Sequence, residues 1–217
     1  MRASNAADTC ILKEIVPLRN LAHAFLLSHF VPRYNRMAQA VKRDLLAGTT
    51  GDVLEIGAGT GANFGFFGEG VRWTGCDPNP AGRRYAERHA AAAGIPAEWH
   101  TAPAEQLPFD AGRFDCAVAT LTLCSVREPE KALAEVLRVL RPGGQLLFLE
   151  HVRAVEGSGE LRSQTNWAPV FRWVAGCRTD QDTAALVERA GFSSLEVRLV
   201  TLPLPVVSPH AAGRAVK

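Results

Sequence analysis

Apolar and polar positions along the chain change rhythm near residue 51. Before that point Leu18, Leu21, Ala22, Phe25, Leu26 and Phe30 recur at three- and four-residue intervals, the spacing of one face of a helix. After it, short apolar runs at 52–56, 71–76, 97–101, 114–121 and 145–150 alternate with helical patterns at 80–93 and 129–140. The second helical pattern sets Leu133, Val136, Leu137 and Leu140 on one face. Gly94 follows the first pattern and Pro142-Gly143-Gly144 follows the second, which are helix stop signals. Strand and helix alternating at this interval predict a parallel sheet with helices on both faces. Residues 151–179 break the rhythm with glycines, Trp167, Trp173 and little periodicity. A connection that long in a compact domain is usually functional. A helix at 180–190, a strand at 194–200, the punctuating Pro203, Pro205 and Pro209, and a last strand at 212–216 complete a seven-strand pattern.

Composition narrows the class. The 217 residues suit one domain, with 47% hydrophobic and 21% charged positions, ordinary for a globular chain. Disorder, a collagen-like fibre and a polytopic membrane protein are excluded. Lys plus Arg is 24 against 22 Asp plus Glu, a net charge of +2. That is too even for a nucleic-acid binder, which carries a basic patch and a high pI. Five cysteines are present, an odd number with no C-x-x-C pair. No disulfide framework, zinc knuckle or other metal is expected from such spacing, and reduced thiols suit a cytoplasmic setting. In the stretch 11–31, Lys13, Glu14, Arg19, Asn20, His23 and His29 interrupt the apolar positions. Neither a spanning helix nor a signal peptide reads that way. The stretch is an amphipathic helix, either a lid or an element lying on a membrane surface. Its fixed positive charges are only Lys13 and Arg19, which favours the lid.

The chemistry concentrates at the end of the first strand. Val53-Leu54-Glu55-Ile56-Gly57-Ala58-Gly59-Thr60-Gly61 runs from a strand through glycines into a helical start. Glycines let backbone turn tightly and approach a ligand closely, and the helix start offers free N–H groups. Gly57-x-Gly59-x-x-Ala62 also satisfies the loose dinucleotide fingerprint, so the loop alone indicates a nucleotide-type cofactor without saying which. Asp77 ends the second strand 20 residues after Gly57, where an acid accepts hydrogen bonds from ribose hydroxyls. The competing role for Asp77 is capping of the next helix, for which Asn79 also serves.

The ordered set of the glycine loop, Cys76-Asp77, Ala104-Glu105-Gln106-Leu107-Pro108-Phe109, Arg113-Phe114-Asp115 and Leu140-Arg141-Pro142-Gly143-Gly144 resembles the class I S-adenosylmethionine-dependent methyltransferases. The resemblance spans about residues 33–217. It implies a doubly wound, Rossmann-like α/β fold with a mostly parallel seven-stranded sheet and an antiparallel last strand. It implies S-adenosylmethionine as cofactor and one methyltransferase domain over 1–217, with 1–48 a helical lid and 151–179 a substrate-side insertion. Residue by residue, Glu55, Gly57, Gly59 and Gly61 would hold the methionine moiety. Asp77 and Pro78 would hold the ribose, Ala104 and Glu105 would border the adenine, and Leu121 joins the same set. Pro103 stands where many relatives place an Asp, leaving backbone groups to read the adenine ring.

A narrower set, Asp77-Pro78-Asn79-Pro80, Thr120 to Val126, Phe148-Leu149-Glu150-His151-Val152, Gly176-Cys177 and the closing Pro209-His210 … Gly213 to Lys217, is similar to the methyltransferase-like thiol S-methyltransferases. Members of that group from animals carry an apolar amino-terminal anchor; here the stretch is amphipathic. The implied reaction is S-methylation of a small thiol by direct transfer, the alternative being N-, O- or C-methylation of an amine, a phospholipid headgroup or a quinone-type acceptor. A non-catalytic cofactor-binding partner is the reading from another class. Methyl transfer needs an aligned nucleophile and exclusion of water. A thiol with a pKa of about 8.5 is already a few per cent thiolate near neutrality, so a weak base suffices. His151, after the fifth strand, is the candidate catalytic residue, orienting or deprotonating the acceptor; its alternative is a structural histidine. Cys124 reads as a small wall beside the methyl donor. Trp167 and Trp173 read as a roof over an apolar acceptor pocket. Asp115 reads as a structural hydrogen-bonding group.

Overall fold

The computed structural model describes residues 18–204, 206 and 208–217. Seven strands, β1 (Gly51–Ile56), β2 (Val71–Cys76), β3 (Ala97–His100), β4 (Phe114–Thr120), β5 (Leu140–His151), β6 (Ser194–Val200) and β7 (His210–Val216), form one sheet in the order β3-β2-β1-β4-β5-β7-β6. β1 pairs in parallel with β2 and β4, β2 with β3, and β4 with β5. β7 inserts antiparallel between β5 and β6. Helices α1 (Leu18–Leu46), α2 (Arg83–Ala93), α3 (Pro129–Val139), α4 (Gly159–Ala175) and α5 (Thr183–Arg189) flank it. This is the expected Rossmann-like architecture, with its last strand antiparallel.

Side chains of a strand alternate between the two faces, and the central strands are apolar on both. Leu54, Ile56, Ala117, Ala119, Leu146 and Phe148 pack with Leu133 and Val136 of α3 and Val187 of α5. Val53, Cys116, Val118, Leu147 and Leu149 pack with Ala38 and Leu46 of α1 and Ala86 and Ala90 of α2. Burying one such aliphatic side chain is worth about 1.5–3 kcal/mol, so helices are required on both sides. Gly94, in the left-handed region at φ 66, ends α2. Pro129 begins α3, and Asp182 caps α5 by accepting from Ala185 N at 3.0 Å.

Two segments differ from their sequence reading. Residues 151–179 carry a helix, α4, which starts where Ser158 Oγ accepts from Leu161 N at 3.0 Å and stops at the left-handed Gly176. Pro169 lies inside it, and an internal proline removes one helical hydrogen bond and blurs the pattern. Gln164, fully buried, docks α4: its Oε1 accepts from Ala154 N at 2.8 Å and its Nε2 donates to Val152 O at 3.0 Å. Trp167 is half exposed and Trp173 88% exposed, so the expected tryptophan roof is not formed. In α1, Leu21, Phe25 and Phe30 are also exposed; its buried contacts come from Tyr34, Ala38, Lys42, Leu45 and Leu46. Positions 11–17 of the expected amphipathic stretch lie outside the described residues, as do 1–17 of the expected lid. Among the described residues no helix is long and apolar enough to cross a membrane.

Candidate active site

The glycine loop follows β1 with Gly57, Gly59 and Gly61 at φ 61, 50 and 72, values a side chain disfavours. A Cβ on Gly57 would stand among the side-chain atoms of Thr122, and one on Gly61 would stand 2.7 Å from the Phe64 ring. At Gly59 a Cβ would meet nothing nearer than Gly57 O at 3.8 Å. The loop is thus packed hard at two glycines and open at the middle one. Asp77 closes the same corner: its Oδ2 accepts from Gly59 N at 2.9 Å and its Oδ1 from Asn79 N at 2.7 Å. Asn79 in turn caps the following turn by accepting from Ala81 N at 3.1 Å, and Pro78 is exposed beside it. A carboxylate has about four acceptor sites, enough to take hydroxyl donors beside two N–H groups. Glu105 Oε1 accepts from Arg127 N at 2.8 Å and Glu128 N at 3.2 Å, tying the segment after β3 to the start of α3. Ala104 beside it is buried. Asp115 accepts from Asp52 N at 2.8 Å and pairs with Arg141, the structural role expected of it.

Glu55 lies beneath the loop, 1% exposed. Its Oε2 accepts from Trp73 Nε1 at 2.7 Å and its Oε1 from Asn63 Nδ2 at 2.8 Å. Asn63 also accepts from Lys42 Nζ at 2.7 Å, and the same ammonium donates to Asn35 Oδ1 at 2.7 Å. Asn35 donates onward to Ala62 O at 2.7 Å, so α1 is fastened to the end of the glycine loop. Burial raises the Glu55 carboxyl to about 7 and lowers the Lys42 ammonium to about 8, because removal from water disfavours both charges.

A second buried group sits at the carboxyl ends of β4 and β5. Glu150, at 0% exposure, accepts from Thr122 N at 2.7 Å and Leu123 N at 3.0 Å. Consecutive N–H groups converging on one carboxylate form an anion nest. The turn needed to aim them places Leu121 at φ 53, uncommon for a residue with a side chain. His151 Nε2 lies 2.6 Å from Cys177 Sγ. Cys124, His151 and Cys177 form one buried cluster whose ligand atoms all lie within 4.8 Å of one another. Arg178 N donates to Cys124 O at 2.9 Å, and Gln181 Nε2 to Leu123 O at 3.0 Å, lacing the segment after α4 to the loop after β4. The neighbouring Cys177, then burial and Glu150, hold the Cys124 thiol well above its ordinary pKa. His210 faces His151 across the β5–β7 pairing, and the Tyr34 ring from α1 lies tilted at 36° to the His210 ring, with centroids 6.0 Å apart. Tyr34 Oη, His151 Nδ1 and both His210 ring nitrogens are buried without a hydrogen-bond partner among the described residues. Burial lowers His210 to about 4, keeping it neutral.

Sequence reasoning singles out Glu55, the glycines, Asp77, Glu105 and His151, and the structure gathers them at one end of the sheet. It missed Tyr34, Asn35, Lys42 and Asn63. Only Lys42 left a trace, a charged residue between the buried Ala38 and Leu45.

Sheet order, glycine loop and closing acid together define a class I methyltransferase. A methyltransferase-domain family model matches residues 54–148. Thiol S-methyltransferase TMT1B of Homo sapiens is 38% identical over 215 residues, covering 93% of this chain and 88% of the relative. Thiol S-methyltransferase TMT1A of Homo sapiens is 36% identical, covering 89% and 85%. The crystal structure of a SAM-dependent methyltransferase from Thermotoga maritima superposes with a TM-score of 0.61 at 22% identity, covering 89% of this chain and 99% of that one, a likeness of fold. The chain belongs to the S-adenosylmethionine-dependent methyltransferases, within the family of the thiol S-methyltransferases. It is an enzyme, its methyl donor is S-adenosylmethionine, and its acceptor is a small molecule.

Proposed function

We propose that the chain moves the methyl group of S-adenosylmethionine onto the sulfur of a small thiol bound beside Cys124, His151 and Cys177. The observation that carries this reading is the character of that buried group. It offers thiols, imidazoles and a phenol; among the described residues the buried carboxylate there, Glu150, is turned onto backbone N–H groups, and Asp180, whose charge also reaches His151, is exposed. An amine acceptor, cationic near neutrality, would want an unengaged anion to hold it; a neutral thiol does not. The activity named for the human relatives, thiol S-methylation, points the same way.

The cofactor assignment rests on the opening at Gly59 and the acid at its rim. Gly57, Gly59 and Gly61 hold the methionine moiety above Glu55, whose carboxylate fixes Trp73 and Asn63 beneath the loop. Asp77 and Pro78 hold the ribose; Ala104, Glu105 and Leu121 border the adenine side. When bound, the cofactor supplies an electrophilic methyl group on a sulfonium centre. The chain's part is alignment and exclusion of water. The second half of α1 acts as the lid, since Tyr34, Asn35 and Lys42 all reach the site from it. His151 orients the acceptor and helps remove its proton, a supporting role because part of the thiol is already ionised.

The test is turnover of labelled S-adenosylmethionine with a panel of thiols, amines, phenols and lipids. Small thiols are expected to be methylated and amines not. Clear turnover of an amine or phenol with no thiol accepted would overturn the reading.

A further inference from the structure

Cys124, His151 and Cys177 are distant from one another in sequence, yet three separate elements converge to put their ligand atoms within 4.8 Å of one another. Each is held by its backbone. Cys124 lies in the loop clamped by Glu150 and accepts from Arg178 N through its carbonyl. His151 is the last residue of β5, paired with His210. Cys177 follows the left-handed Gly176 that ends α4, and α4 is docked by Gln164. With its proton on Nδ1, His151 presents the Nε2 lone pair to both thiols.

We propose that Cys124 Sγ, Cys177 Sγ and His151 Nε2 bind a zinc ion whose fourth position is left for the acceptor. Zinc takes sulfur at about 2.3 Å and nitrogen at about 2.0–2.1 Å in tetrahedral geometry, so two ligands on one ion stand roughly 3.5 Å apart. His151 Nε2 and Cys177 Sγ, now 2.6 Å apart, need to part by only about 1 Å to admit it. Two thiolates and an imidazole are a borderline-soft set, which selects zinc over magnesium or calcium. Among the described residues no further His, Cys, Asp or Glu ligand joins the three. Three protein ligands with one position open is the catalytic rather than the structural pattern. The unpartnered Tyr34 Oη and His210 nitrogens beside the cluster mark the same place as one that a bound group completes.

The metal site stands on this geometry alone; its catalytic use rests on the thiol reading above. An acceptor thiol entering the fourth position gives its proton to water, because a coordinated thiol is deprotonated outright; with the metal bound, the metal takes over the proton-removing part given to His151 above, and His151 acts as a ligand only. A lone pair of that sulfur forms the new C–S bond to the methyl carbon as the sulfonium C–S bond breaks, its pair staying on the cofactor sulfur. The product is a neutral thioether, a weaker ligand than the thiolate, and it departs.

The experiment strips the full-length protein with a chelator, reconstitutes it with zinc chloride or cobalt chloride, and reads bound metal by elemental analysis and the cobalt–thiolate charge-transfer band. One zinc per chain and a sulfur-to-cobalt band are expected. Cys124→Ser and Cys177→Ser should each weaken zinc binding by more than the roughly 10- to 100-fold that loss of a supporting partner costs. Cys116→Ser, whose thiol sits in β4 away from the cluster, should leave binding unchanged. Calorimetry with S-adenosylmethionine shows that each variant is folded. No zinc uptake by the unaltered protein, uptake equal in the Cys124 and Cys177 variants, or a Cys124–Cys177 disulfide in its place overturns the site. Thiol turnover at full rate by zinc-free protein overturns its catalytic use and leaves the thiol reading intact. Zinc held by these three residues with turnover of amines alone supports the site and overturns the thiol reading.

Discussion

Two buried polar groups lie side by side at the end of the sheet and are built on opposite terms. Around Glu55, the chain Trp73–Glu55–Asn63–Lys42–Asn35 is linked by hydrogen bonds of 2.7–2.8 Å. Around His151, the Tyr34 hydroxyl, His151 Nδ1 and both His210 nitrogens have no partner among the described residues. Tyr34 belongs to both: its ring receives Lys42 Nζ at 5.3 Å from the centroid, while its hydroxyl end belongs to the second group. A buried polar atom without a partner costs about 1–3 kcal/mol, so a fold keeps several together only where something else completes them. The satisfied group is a scaffold that sets the glycine loop against α1. The unsatisfied one is where we propose that a ligand works.

The contrast breaks most visibly at Lys42. Lys42→Ala leaves the buried Asn63 Oδ1 and the Asn35 Oδ1 without their donor and opens a gap in a dry interior, and each buried polar group stranded in this way costs about 1–3 kcal/mol. Urea unfolding at pH 7.5 should show that loss; an unchanged unfolding midpoint would mean that the network is decoration. Titration gives the next effect. The folded Glu55 carboxyl sits at about 7 against an ordinary 4.5, so the folded protein holds a proton that the unfolded chain has lost between those values. Its stabilising contribution is complete below pH 4.5 and disappears as pH rises to about 7. Lys42, lowered from 10.5 to about 8, contributes stability present above pH 10.5 that is lost as pH falls to about 8. The pair is therefore least helpful between pH 7 and 8. Thermal midpoints measured from pH 4.5 to 7 should fall less steeply with rising pH in Glu55→Gln than in the unaltered protein, and parallel curves would contradict the assignment. The smallest effect sharpens the contrast from the other side. Tyr34→Phe deletes an unpartnered hydroxyl, so stability should hold or rise by about 1 kcal/mol while thiol turnover falls. A clear drop in the urea midpoint of that variant would show that the hydroxyl is paired in the folded protein.

The scaffold was partly written in local pattern. β1, the glycine loop and Asp77 follow one another closely along the chain, and their roles follow from strand periodicity and backbone freedom at glycine. Asp115, Gly94 and the helix start at Pro129 are legible for the same reason. α4 was not, because Pro169 and the glycines at its two ends, Gly159 and Gly176, mask a helix that Gln164 secures through contacts outside it, with Val152, Ala154, Thr179 and Ser208. The exposed Leu21, Phe25 and Phe30 show the converse: helical spacing was right, yet among the described residues the buried contacts of α1 come from Tyr34 onward, where the helix lies against the sheet.

Spacing along the chain gave no reason to expect a metal, since the five cysteines form no C-x-x-C pair. Spacing reports on local motifs only. Cys124 and Cys177 meet because Arg178 N reaches Cys124 O and Gln181 reaches Leu123 O, bonds between segments that lie far apart along the chain. By itself the sequence determined the class of fold, the glycine loop after β1 and the acid that bonds to it, because these depend on periodicity and on backbone conformations that only certain residues adopt. Tertiary structure alone decided which buried groups are satisfied and which are left without a partner, because a hydrogen bond is a matter of distance in space, and packing of α1, α4 and β7 onto the sheet sets those distances.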